Sequence, residues 1–274
     1  MFDKIKSIFI PSTFTLSSGV KVKEKFNPSV YIVILMIILI MISMEFTGFD
    51  YDVFVKRGHN FFDILIGMVP PNVEYLEVLF KPLVDTITMS IVGTLVGVVF
   101  ALPMAFLNST NIIKNKFVIT VLRTILSLLR TIPVLVYALI SVYIFNPGPF
   151  AGTIAIAIFT FSIASKMLYE QIETVDMGPY EALESTGASI FKAARFAIYP
   201  QIKPYYYSMI LYNFEMNVRN AAILGYVGAG GIGIILSDTL GWREYANTGM
   251  VLICLIIVVI IIESTSRKIR GKLN

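Results

Sequence analysis

Cysteine, histidine, tryptophan and charge are scarce in this 274-residue sequence: one of each of those three residues, and only 15% charged residues. The one cysteine, Cys254, lies inside an apolar run, so no intramolecular disulfide and no cysteine-built metal cluster can form. The one histidine, His59, stands beside Asn60 in a polar stretch and reads as a solvated loop residue. With no second histidine or thiol to work with it, a metalloenzyme and a Ser/His hydrolase are excluded. A soluble domain carries charge on about a quarter of its residues, so the low charge also argues against a soluble fold.

What the chain has in quantity is apolar surface. Hydrophobic residues make up 56% of it and its mean hydropathy is +0.78, the composition of an all-α integral membrane protein. The length allows about six transmembrane helices of roughly 20 residues, with no room for a separate soluble domain. The net charge of +4 fits Lys and Arg gathered on the cytoplasmic side of a bilayer and asks for no nucleic acid. The start does not read as a cleavable signal peptide: its first apolar piece, 8–11, is short, and no small-residue cleavage site follows the main run after Pro28.

In order, residues 1–28 form a basic cytoplasmic lead-in and 29–46 the first span. Residues 47–82 read as an extracytoplasmic segment whose apolar patch, 61–69, is too short to cross and suits an interfacial helix. Five further spans occupy 83–265, and 266–274 is a basic cytoplasmic tail. In the second span Gly93, Gly97, Ala101 and Ala105 recur at i, i+4, a smooth stripe that lets another helix approach closely. Residues 117–145 form a long helical region containing Arg123, Arg130 and Pro133, with the third span starting around Thr131. Placing both termini inside (N-in, C-in) leaves only Lys56, Arg57, Lys81 and Arg243 in outer connections, the lopsided split expected of a membrane protein.

The loop between the fourth and fifth spans, 171–204, is then cytoplasmic. Its stretch 180–204, YEALESTGASIFKAARFAIYPQIKP, reads as two short helices meeting at a hinge. Pro179 suits a first helical turn, Glu181 and Glu184 favour the positive helix pole, and Gly187 accepts the left-handed conformation at low cost. Ser189 can cap a second helix, which Pro200 then ends.

The fifth span is unusually polar, carrying Asn213, Glu215, Asn217, Arg219 and Asn220. Glu215 and Arg219 are spaced for an ion pair along a helix, so they read either as a self-neutralising structural pair or as part of a cationic, amide-lined pathway for a small anion. Next, Gly228, Gly230 and Gly233 formally match the dinucleotide pattern G-x-G-x-x-G, but no strand precedes them and an apolar span occupies the place of the βαβ unit. With Gly231 they read instead as a helix break beside a pore or gate.

Glu181-Ala182-Leu183, then Gly187, then Pro200 resemble the EAA loop of bacterial ATP-binding-cassette (ABC) importer permeases, with Leu183 for the second Ala, Ala197 for Ile and Tyr199 for Leu. EALESTGAS, RFAIYPQIKP, NVRNAAILGYVGAGGIG and the RTIPVLVYAL segment around Arg130 and Pro133 look most like the phosphonate or phosphite permeases of that superfamily. The resemblance implies a type I (MetI-like) permease of six spans in a bacterial or archaeal plasma membrane. It implies Glu181, Ala182, Leu183, Gly187, Ala188, Ser189 and Pro200 as the docking loop for a separate ATPase. Arg130, Pro133, Asn217, Arg219, Asn220 and the glycines 228, 230, 231 and 233 would lie on the pathway or gate. The implied partners are two ATPase subunits holding ATP-Mg, an extracytoplasmic phosphonate-type binding protein and a second permease chain, with no cofactor on this chain. An importer for methionine or an osmoprotectant, and an ATPase-independent membrane enzyme, are the alternative readings.

Overall fold

A computed structural model describes residues 13–15, 19–23 and 29–273. The fold is helical, and it divides into two units, Met1–Asp63 and Ile64–Asn274. Most of the basic lead-in lies outside the described residues. What is described of it pairs two three-residue strands, β1 (Thr13–Thr15) and β2 (Lys21–Lys23), antiparallel, with Thr13 opposite Lys23. They are the one departure from all-helical structure among the described residues. The first unit continues with the apolar α1 (Ser29–Phe46), whose side chains from Tyr31 onward are all exposed, then α2 (Tyr51–Arg57) and most of α3 (His59–Gly67). Asp50 caps α2 by accepting the Val53 N–H at 3.0 Å.

The second unit is built on two long helices, α4 (Leu76–Asn108) and α7 (Pro149–Ile172). Small residues bring them together: Gly93, Gly97, Ala101 and Ala105 are all buried. A Cβ on Gly93 would stand 2.7 Å from Ile156 Cγ2, and one on Gly97 2.7 Å from the Ala157 carbonyl oxygen. Between them the chain breaks sharply. Helix α5 (Lys116–Thr131) meets α6 (Val134–Phe145) at 87°. Pro133 is the cause, since its ring drives Ile132 to an extended ψ of 121° and α6 must start afresh behind it.

Helix α8 (Gly178–Ser185) is followed by α9 (Ile190–Ala193), a π-turn (Ala194–Ile198) and α10 (Tyr199–Leu224). The sequence reading that Pro200 ends the second short helix is corrected here. The Tyr199 N–H reaches back five residues to the Ala194 carbonyl, and this π-turn carries the chain past a proline that falls in the first turn of α10. Ser189 occupies the N-cap position, yet its side chain makes no capping bond. After a 3-10 turn (Gly225–Val227), α11 (Ile232–Gly241) sets off at 50° to the preceding helix, and α12 (Tyr245–Arg270) closes the unit. The basic tail is therefore partly helix: α12 runs on through Arg267 and Arg270.

Three of the second unit's helices are long and apolar enough to cross a membrane alone: the Val73–Asn108 segment containing α4, α7 and α12. Across all the described residues the number rises to six if each of three bent helix pairs, one of them starting with α1, counts as one span.

Candidate functional site: a clamped elbow and a glycine hinge

Helix α8 ends where Gly187, at φ +83°, turns left-handed. The Gly187 N–H donates to the Glu184 carbonyl at 2.9 Å and the Ala188 N–H to Leu183 at 3.1 Å, the two bonds of a Schellman stop. Tyr180 from α8 is buried with Ala193, Ala194, Ala197 and Ile198, so the elbow packs its inner face onto α9 and the π-turn that leads into α10. Its other face is open. Glu181, Ala182 and Ser189 are exposed, as are Phe191 and Phe196 at 74% and 68%.

Gln201 ties the entry of the elbow to α10. Its side chain accepts the Asp176 N–H at 3.1 Å and donates to the Asp176 carbonyl at 2.9 Å. The Asp176 carboxylate then accepts the Gly178 N–H at 2.9 Å and starts α8. Just upstream, Glu173 at the end of α7 accepts from the Thr110 amide at 2.8 Å, from the Thr110 hydroxyl and from Arg123. Arg123 also donates to the Asn108 carbonyl at 2.7 Å and stacks 4.4 Å over the Tyr169 ring, so the ends of α4 and α7 and the middle of α5 share one polar node. Burial works to raise the Glu173 carboxyl, but the Thr110 donors and Arg123 outweigh it and hold it below the usual carboxylate range.

The glycines form the second feature. A Cβ on Gly225 would overlap the Gly233 backbone, and one on Gly233 would overlap the Ala222 carbonyl, so α10 and α11 cross backbone against backbone. Gly228, Gly230 and Gly231 all have positive φ. The turn is pinned on both sides. The Gly148 N–H donates to the Gly228 carbonyl at 2.9 Å, and the Ile232 N–H donates to the Thr86 hydroxyl of α4 at 2.8 Å.

The polar residues of α10 separate into two groups. Asn217 is fully buried and uses both amide hydrogens inside the helix bundle, donating to Thr94 of α4 at 2.8 Å and Thr160 of α7 at 2.7 Å. Glu215 and Arg219 do pair, within a wider cluster: Arg270 of α12 reaches the second Glu215 oxygen at 3.1 Å, and Arg219 also lies 3.4 Å from Glu263, which Arg267 binds as well. Asn220 is half-buried on the same helix. Arg130 and Pro133 flank the α5–α6 break, away from this cluster in sequence and without a bond to it.

Sequence reasoning left out Gln201, Asp176, Thr86, Arg270 and the Arg123–Glu173 pair. Each depends on a partner far along the chain, and no local pattern marks such pairs.

Residues 93–267 match the family described as binding-protein-dependent transport system inner membrane component. The chain is 36% identical over 206 residues to HtxC of Stutzerimonas stutzeri, named for phosphite transport, covering 75% of this chain and 73% of that protein. It is 33% identical over 211 residues to the phosphate-import permease protein PhnE of Mycolicibacterium smegmatis, covering 77% of this chain and 40% of the other. An inward-facing structure of the MetNI methionine transporter superposes with a TM-score of 0.66 at 22% identity, over 74% of this chain and 99% of that one, which shows the shared fold. The chain therefore belongs to the binding-protein-dependent inner-membrane component family, as the permease subunit of an ATP-driven importer whose hydrolysis resides in a separate ATPase subunit.

Proposed function

We propose that this permease carries a small phosphorus oxyanion of the phosphonate or phosphite type, handed to it by an extracytoplasmic binding protein. Relatives named for phosphite and phosphate import support the substrate class. Six spans with both termini inside, two permease chains and two ATPase subunits holding ATP-Mg complete the assembly, in a bacterial or archaeal plasma membrane. Support for the topology comes from the basic residues: Lys114 and Lys116 lie at the α4–α5 connection, Lys166 toward the end of α7 and Lys192 in α9 of the elbow.

The elbow is the coupling element. Its open face, with Glu181, Ala182, Phe191 and Phe196, docks into the ATPase, and Ala188, Ser189 and Pro200 shape the exit toward α10. The observation that carries this reading is the Gln201–Asp176 clamp, which fixes the elbow to α10 so that a push on one moves the other. At the far end of α10 the glycine hinge lets α11 swing, which supplies alternating access. Asn217 holds α10 to α4 and α7, and the Glu215–Arg219 cluster holds it to α12.

Reconstitution in vesicles with the cognate ATPase and binding protein tests the substrate. Methylphosphonate or phosphite should stimulate ATP hydrolysis. Stimulation by methionine or glycine betaine instead would replace this reading with an importer of another solute.

A further inference from the structure

We infer that Arg130, at the break between α5 and α6, is the residue that contacts the oxyanion during translocation, and that Arg219 does not. The inference rests on the substrate class proposed above and adds the residue that recognises it.

Among the described residues from 64 onward, every Lys and Arg other than Arg130 is either exposed or paired with a carboxylate. Arg219, the arginine that the sequence favours for an anion, is held by Glu215 and Glu263 in a cluster of three arginines and two carboxylates, so its guanidinium is already engaged. Arg130 is half-buried, its Nε is buried without a hydrogen-bond partner, and it makes no ion pair with any described residue. An uncompensated guanidinium inside a membrane protein is costly and marks a place where charge is needed. A guanidinium presents paired N–H donors matched to two oxygens of a phosphonate or phosphite.

Its surroundings fit a transient contact. Leu129 and Ile132, on either side of Arg130, pack into the cluster that holds Leu224 and Ala229 of the glycine hinge. The cation therefore sits in the part of the chain that leans on the element proposed to move. The first N–H groups of α6, on Val134 and Leu135, lie past the same break and have no helical acceptor, which adds donors of the same sign. A bulky or cationic solute gains nothing from this arrangement.

The experiment uses the permease–ATPase complex in detergent, without binding protein, and follows its thermal unfolding against methylphosphonate, phosphite and glycine betaine. The wild type should be stabilised by the two oxyanions and not by glycine betaine. Arg130→Gln should lose that stabilisation, and Arg130→Lys, which keeps the charge without the fork, should need about tenfold more ligand. Arg219→Gln should respond as the wild type does. An unchanged response in Arg130→Gln, equal affinity in Arg130→Lys, or a response lost in Arg219→Gln overturns the inference. Where Arg130→Gln fails to assemble, the Arg130→Lys comparison decides it. A wild type stabilised by glycine betaine and by no oxyanion would overturn the substrate class itself, a result distinct from an oxyanion response that ignores Arg130.

Discussion

Gln201 holds Asp176 by both faces of its peptide backbone, accepting from the N–H at 3.1 Å and donating to the carbonyl at 2.9 Å. The pair joins the first turn of α10 to the residue that starts the elbow helix. Gln201→Ala should leave the ATPase subunits bound, because the docking face is untouched. Two net hydrogen bonds at an exposed site are worth about 1 kcal/mol each at most, so the fold should survive. The ratio of substrate moved to ATP hydrolysed should drop several-fold, and a normal ratio in vesicles would remove the clamp from the coupling route.

Gly187 should tolerate no side chain that resists a positive φ, even though nothing lies within 4 Å of its missing Cβ. A Gly187→Val exchange strains the left-handed turn by about 1–2 kcal/mol, without any clash. Gly187→Asn should cost less, because Asn visits this conformation more readily. Co-purification of the ATPase should follow the same order, with wild type above Asn and Asn above Val.

The glycine crossing gives a sharper contrast. Gly225→Ala and Gly233→Ala each force a Cβ into backbone that cannot rotate away, and should lower the unfolding temperature and abolish transport. Gly241→Ala, at the exposed end of α11, meets nothing within 4 Å and should leave both near wild type. Equal behaviour of the three variants would deny the crossing its role.

Glu215 is buried and gripped by Arg219 and Arg270, while Arg219 is about half exposed and has Glu263 as a second partner. Glu215→Gln should therefore harm stability more than Arg219→Gln. The double variant should be milder than the sum of the two, by about 0.5–2 kcal/mol of coupling, discounted for the exposure of Arg219. Additive losses in a denaturation cycle would show that the two side chains act independently.

The Glu173 node predicts a pH dependence. Its carboxyl is held below its ordinary value when folded, so its contribution to stability is complete above that ordinary value and is lost as pH falls through the lowered one. The stability gap between wild type and Glu173→Gln should thus be constant from neutral pH down to about pH 5 and should close under stronger acid. A gap that stays unchanged right through strong acid would show that the lowered carboxyl contributes nothing to stability.

The sequence by itself determined what depends on neighbours along the chain. Long apolar runs dictate helices, Gly187 dictates a left-handed stop, and the i, i+4 small residues of α4 dictate a close helix contact; the 87° break at Pro133, inside a region that reads as one long helical stretch, was decided by the fold. The Glu181–Gly187–Pro200 pattern carried the family for the same reason, since it records one local turn. Tertiary structure alone decided which helix faces meet. Asp176 and Gln201 lie 25 residues apart, Arg123 and Glu173 lie 50 apart, and Glu215 and Arg270 lie 55 apart. Such pairs follow from how each helix is rotated and how far it slides against its neighbour, quantities set by the summed packing of the bundle. That is why Arg219, the obvious cation in the sequence, is engaged by Glu215 and Glu263 in the fold, and why, among the described residues from 64 onward, the half-buried cation without a carboxylate is Arg130.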